Sequence, residues 1–194
     1  MKAFNGFEAK KSVSTNEPLP AGGYIAKILN AKVEEYSWGE VLVISFDIAD
    51  GEYKDFIAKQ YKANTNEDKK WKGNFRITVP QENNQYFESQ KRTFGNAIWA
   101  IEESNPGFRW AWNENALVGK NVGVLFRNFE WEMDDGRTGW STECCTFVST
   151  EDIRSGNFKQ PKDKPLKKKN TTPGKSDSSF FASANTLQDE DLPF

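Results

Sequence analysis

Val41-Leu42-Val43-Ile44-Ser45-Phe46-Asp47-Ile48-Ala49 decides the fold class. Leu42, Ile44, Phe46 and Ile48 alternate with Val43, Ser45 and Asp47, the period of two that a half-buried strand requires. Working back, Ser37-Trp38-Gly39-Glu40 is a turn, and residues 24–36 before it are a long first strand, opened by the loop Leu19-Pro20-Ala21-Gly22-Gly23. Working forward, Asp50-Gly51 signals the next turn and residues 54–62 are a candidate third strand. Residues 64–73 are polar and charged, a loop, after which Phe75-Arg76-Ile77-Thr78-Val79 continues the third strand until Pro80 ends it.

From about residue 84 to residue 103, Phe87, Phe94, Ile98 and Ile101 fall on one helical face, and Asn105-Pro106-Gly107 stops the helix. Residues 121–132 and 138–148 are two further strands joined by a hairpin at Asp134-Asp135-Gly136. The chain therefore reads as a mainly β domain with one helix. Three strands, a helix and a two-stranded hairpin form the element order of an OB-fold, a small five-stranded barrel that often binds single strands or oligosaccharides. Many α+β domains share that order. The expected domain covers residues 19–158, behind an N-terminal arm of residues 1–18.

A chain of 194 residues with 37% hydrophobic content holds one core and not two. No apolar run approaches the roughly 18 to 20 residues that span a bilayer, and Met1-Lys-Ala-Phe-Asn-Gly lacks the apolar stretch of a signal peptide. A cytoplasmic protein without membrane partners is expected. Cys144 and Cys145 are neighbours in a strand, where successive side chains point to opposite faces, so they read as reduced thiols, one inward and one outward. The absence of histidine removes His-based triads, His general bases and His-containing metal sites. Carboxylates and lysines remain available for chemistry, but no cofactor or metal site is expected.

The formal net charge of −2 conceals a division along the chain. Residues 1–158 carry a net −4, residues 159–175 a net +6, and residues 176–194 a net −4. A slightly acidic domain does not hold duplex DNA by charge alone, so any nucleic acid must meet local patches. Residues 159–188 are rich in Pro, Lys, Ser, Thr, Asn and Gly, a composition that cannot bury enough surface to offset its ordering entropy. They read as a flexible linker of about 30 residues with a reach on the order of 30 Å. The chain ends in Asp189-Glu190-Asp191-Leu192-Pro193-Phe194. A terminal aromatic can fill an apolar pocket while its α-carboxylate meets an arginine and the three acids face a basic rim, so this tip reads as a partner-docking peg.

Single-strand binding needs cations for phosphates and aromatic faces for bases. Residues 54–76 offer both: Lys54, Lys59, Lys62, Lys69, Lys70, Lys72 and Arg76 interleave with Phe56, Tyr61, Trp71 and Phe75. The plainer reading makes these aromatics core and these lysines a solvated face. A second candidate is Arg127, Phe129 and Trp131, which alternate along one strand while Val122, Val124 and Phe126 form the inward set; Trp140 or Phe147 would lie across the hairpin, depending on register. Trp99, Phe108, Trp110 and Trp112 cover a barrel end, close an interface or stack bases. Glu130, Glu132, Asp134 and Asp135 have a spacing that permits Mg²⁺, as a nuclease would need, but they equally suit a solvated strand and its turn. No phosphate-binding GxxxxGK[ST] loop occurs.

The tip resembles the acidic C-terminus of bacterial and phage single-stranded DNA-binding proteins, whose usual form is a run of aspartates and then Ile-Pro-Phe; here Leu192 replaces isoleucine and Glu190 one aspartate. Leu19-Pro-Ala-Gly-Gly-Tyr-Ile-Ala-Lys-Ile28, Phe46-Asp-Ile-Ala-Asp-Gly-Glu-Tyr53 and Leu117-Val-Gly-Lys-Asn-Val-Gly-Val124 resemble a family of phage and prophage proteins of low-GC Gram-positive hosts, found among replication and recombination genes. The resemblance spans residues 17–155 and the tip. It implies a non-catalytic protein that coats single-stranded DNA. It also implies that Asp189 to Phe194 dock on helicases, primases, nucleases or recombination mediators. The alternatives are an OB-like adaptor that docks on such partners without coating DNA, and a Mg²⁺-dependent nuclease. Self-association is compatible with the aromatic surplus.

Overall fold

The computed structural model describes residues 17–166. Residues 1–16 of the expected arm, the linker beyond Leu166 and the acidic tip lie outside the described residues. In chain order the elements are β1 (Gly22–Tyr36), β2 (Gly39–Ile48), α1 (Phe56–Ala63), β3 (Asn74–Thr78) and α2 (Phe87–Glu103). A 3₁₀ turn (Glu114–Leu117), β4 (Asn121–Glu132), β5 (Thr138–Val148) and α3 (Thr150–Ser155) follow. The domain is mainly β. Its five strands form one antiparallel sheet in the order β3-β2-β1-β4-β5.

The 15-residue β1 is the spine of the sheet, pairing with β4 near its start (Gly22↔Phe126 to Lys27↔Asn121) and with β2 from Ala26 to Tyr36. A bulge at Leu29, between the pairs Ile28↔Phe46 and Asn30↔Ser45, resets the alternation. Ala26 and Ile28 are inward before it, and Ala31 after it. A second bulge leaves Cys145 unpaired between Thr146 and Cys144. Cys144 packs against the core, where burial pushes its thiol well up, and the Cys145 thiol donates to the Leu125 carbonyl. The two edge strands converge, with the rings of Phe75 on β3 and Phe147 on β5 lying 4.3 Å apart. No β3–β5 ladder closes the sheet among the described residues, and α2 packs against β3, β4 and β5.

The core gathers Ile28 from β1, Leu42, Ile44, Phe46 and Ile48 from β2, Phe94 and Ile101 from α2, and Val122 and Val124 from β4. The expectation that β2 is half-buried needs correction, because Val41, Val43, Ser45 and Asp47 on its other face are buried as well. Ser45 donates to Asn74 Oδ1, and Val43 stands in register between Lys32 and Arg76, whose aliphatic stems suit such a position.

Residues 54–62 are not a strand. They lie in a turn and in α1, whose start is fixed by a residue from elsewhere in the chain. The Asp47 carboxylate accepts from the backbone N–H of Ile57 and of Ala58, both at 3.0 Å, and so caps a helix that its own preceding residue, Asp55, leaves uncapped. With α3, the domain has three α-helices where the sequence reading expected one.

The chain does not leave the domain after residue 158, although the linker was expected to start at residue 159. Gln160 Nε2 donates to the Phe126 carbonyl, Lys164 N–H to the Asn128 carbonyl, and Glu130 N–H to the Lys164 carbonyl, which makes a parallel bridge between Phe129 and Lys164.

Candidate nucleic-acid interface

The sheet face opposite the core carries rows read across three strands. Asn30, Ser45 and Asn74 form one row; Lys32, Val43 and Arg76 the next; Glu34, Val41 and Thr78 a third. Tyr36 follows at the end of β1, opposite Gly39. Arg76 Nη2 donates to both Glu34 Oε2 and the Tyr36 hydroxyl, and that hydroxyl donates to Glu34 Oε2 at 2.6 Å. Lys32 Nζ lies 3.6 Å from the other oxygen of Glu34. Partial burial works against the Glu34 carboxylate, but the hydrogen bonds from Tyr36 and Arg76, with the charges of Arg76 and Lys32, hold it below the usual carboxylate range. The hydrogen bond to Glu34, aided by burial, moves the Tyr36 phenol up.

At the β1–β2 tip the Trp38 indole is stacked on Tyr36, with ring centroids 5.2 Å apart and planes 11° from parallel, and Trp38 is 50% exposed. An indole so placed buries one face on Tyr36 and leaves the rest of its surface exposed. Tyr36 and Trp38 were missed in the sequence because they fall in and beside a turn. The available signal was the aromatic itself: a tryptophan at a hairpin tip has no core to enter.

The basic, aromatic patch at residues 54–76 is rearranged by the fold. Trp71 is only 2% exposed and donates its indole N–H to the Phe46 carbonyl, so it is a core residue and not a stacking platform. Phe75 is core as well, and Phe56 and Tyr61 pack partly buried against it. Phe56 meets Tyr53 edge-on at 5.8 Å, and Lys69 lies 4.6 Å over the Tyr61 ring. Lys59 Nζ turns back to the Lys54 carbonyl at 2.7 Å. Lys54, Lys59, Lys62, Lys70 and Lys72 have exposed positions around this wall. What survives of the patch is its positive charge and Arg76, not its rings.

On the hairpin, Arg127, Phe129 and Trp131 lie on the face opposite the inward Phe126, in register with Glu143, Ser141 and Gly139. Arg127 donates to Glu143 Oε1 through both Nε (2.9 Å) and Nη2 (2.7 Å). Phe129 is half-buried and Trp131 36% exposed, its indole lying across Gly139. Trp140 pairs with Glu130 and so projects from the other face, while Phe147 pairs with Val124 in the core.

Of the aromatics after the helix, Phe108 and Trp110 pack on the core. Trp112 stacks on Phe94 at 6.0 Å with most of its surface exposed, and Trp99 is exposed on α2. Glu130 accepts from the Leu166 N–H, and Asp135 pairs with Arg137. Among the described residues no group of three or more Cys, Asp or Glu is placed to hold a metal ion. None of the described helices is long and apolar enough to cross a membrane.

No protein-family model matches the chain, and comparison with curated proteins finds no match.

Proposed function

We propose that this chain is a non-catalytic single-stranded DNA-binding protein, acting in the cytoplasm during phage replication or recombination, and that its acidic tip recruits DNA-processing enzymes. The observation that carries this reading is the outer face of β1–β2–β3, where the half-exposed Trp38–Tyr36 stack adjoins Arg76 and Lys32. Such a surface combines a π-platform with cations at its side, the pairing that sequence-tolerant single-strand binding uses.

The fold supports the same reading at a finer level. A first strand shared by β2 and β4, edge strands that converge at Phe75 and Phe147, and a helix between β3 and β4 suit an OB barrel left open at its seam. In that architecture the faces of strands two and three and the β1–β2 and β4–β5 loops take the ligand. Here Arg76 lies on β3, Trp38 in the β1–β2 loop, and Trp131 at the next-to-last position of β4, beside the β4–β5 loop.

The tip residues Asp189 to Phe194 give the second half of the proposal, through their resemblance to the docking peg of bacterial and phage single-stranded DNA-binding proteins. The test is a gel-shift comparison of a single-stranded oligonucleotide with the duplex of the same length. Preferential retardation of the single strand, undiminished in a chain lacking Leu192-Pro193-Phe194, is expected. Equal or no retardation of the two would overturn the proposal.

A further inference from the structure

β4 outruns β1. Its last pair with β1 is Phe126↔Gly22, and beyond it Arg127 to Glu132 pair with β5 on one side only. An unpaired strand edge needs hydrogen-bond partners or a cover. The cover here is the stretch that composition alone assigns to a linker. Gln160 side-chain N–H meets the Phe126 carbonyl at 3.0 Å, and Lys164 exchanges backbone bonds with Asn128 and Glu130, each at 2.9 Å. Leu166 N–H reaches Glu130 Oε2 at 3.0 Å. Residues 160–166 thus lie along the free edge of β4, tied to it by one parallel bridge at Lys164 and by the bonds of Gln160 and Leu166 on either side.

The bridge fixes which way this segment presents its side chains. Lys164 is paired with Phe129 and shares its face, the face of Arg127 and Trp131. Two side-chain contacts agree: Lys164 Nζ lies 3.4 Å from Glu143 Oε1, the oxygen that also binds Arg127, and Asp163 points the other way to accept from Asn128 Nδ2 at 2.9 Å. A single carboxylate therefore lies between two cations, which leaves one positive charge in excess beside Phe129 and Trp131. The Lys164 side chain is 58% exposed, free enough to exchange Glu143 for a phosphate.

We propose that residues 160–166, bridged to β4 at Lys164, complete a single-stranded-DNA-binding arm with the β4–β5 hairpin and that Lys164 is one of its phosphate contacts, with Phe129 and Trp131 as its aromatic surface. This rests on the single-strand-binding reading above. A strap that only protected the β4 edge would need its backbone and not its lysine.

The test titrates the full chain, Lys164→Gln and Lys164→Arg with oligo-dT across a range of salt concentrations. Lys164→Gln is expected to weaken binding about fivefold at low salt and to flatten the log–log salt slope by about 0.7, the share of one phosphate on a single strand. Lys164→Arg is expected to restore both. Hydrogen exchange at the Glu130 and Lys164 amides should slow in the complex. If the unaltered chain binds and Lys164→Gln matches it in affinity and slope, or if those amides exchange faster when DNA is bound, this proposal falls while the functional reading stands. If the unaltered chain does not bind oligo-dT, both fall.

Discussion

The Trp38 indole lies 5.2 Å from the Tyr36 ring and 11° from parallel to it, at the tip of the β1–β2 hairpin and beyond the edge of the core. The stack fixes the indole plane in advance, so a base that lands on it meets a surface already ordered. Truncating Trp38 removes the platform without opening a cavity.

Trp38→Ala is therefore expected to lower oligo-dT affinity by about 5- to 150-fold, the range of one stacked base at about 1–3 kcal/mol. Its midpoint of thermal unfolding should stay within a few degrees of the unaltered chain. Equilibrium titration and a melting curve check the two halves, and an unchanged affinity would remove Trp38 from the interface.

Trp71 behaves in the opposite way. Its side chain is in the core and its N–H is bonded to the Phe46 carbonyl, so Trp71→Ala should cost about 3–5 kcal/mol of stability. Trp71→Phe should cost less but leave that carbonyl without its indole donor. Urea unfolding followed by circular dichroism measures both. A folded Trp71→Phe protein should bind oligo-dT as the unaltered chain does.

The sequence shows the strands because alternation is a local property: Leu42, Ile44, Phe46 and Ile48 enter the core as their spacing indicates. It hides α1 because the cap on Ile57 comes from Asp47, ten residues earlier and on another element. Ile57 and Tyr61, one helical turn apart, were the local trace of that helix. Trp71 reads as a stacking residue because lysines flank it, but its burial depends on a carbonyl 25 residues away. Residues 160–166 look like linker because the backbone bonds of Lys164 and Leu166 leave no mark on composition, and the polar side chains of Gln160 and Asp163 that join them are what a solvated linker also carries.

Two carboxylates give stability opposite dependences on pH. Burial pushes Asp47 up, against the pull of three backbone N–H donors, so its folded pKa lies above the unfolded one. The corresponding contribution is complete below the unfolded pKa and is lost as pH rises through the raised folded value. Glu34 is held down, so its contribution is complete above its unfolded pKa and lost as pH falls through the lowered folded value. Unfolding midpoints measured across the acid range should therefore lose their low-pH decline in part in Glu34→Gln. In Asp47→Asn the loss on raising pH through the carboxylate range should disappear. Parallel curves for all three proteins would contradict this assignment.

The tip makes a separate prediction. Deleting Leu192-Pro193-Phe194, which leaves Asp189, Glu190 and Asp191 in place, is expected to leave oligo-dT affinity undiminished and to abolish capture of replication and recombination enzymes. Affinity capture with the full and shortened chains, each bearing the same tag, measures the difference.

The most direct measurement is tryptophan fluorescence of the full chain during titration with oligo-dT, first at low salt and then at increasing salt. Trp38 and Trp131 lie on the proposed interface, so saturable quenching is expected, with an association constant that falls linearly in log–log form as salt rises. A flat titration at low salt, with the protein folded, would contradict it.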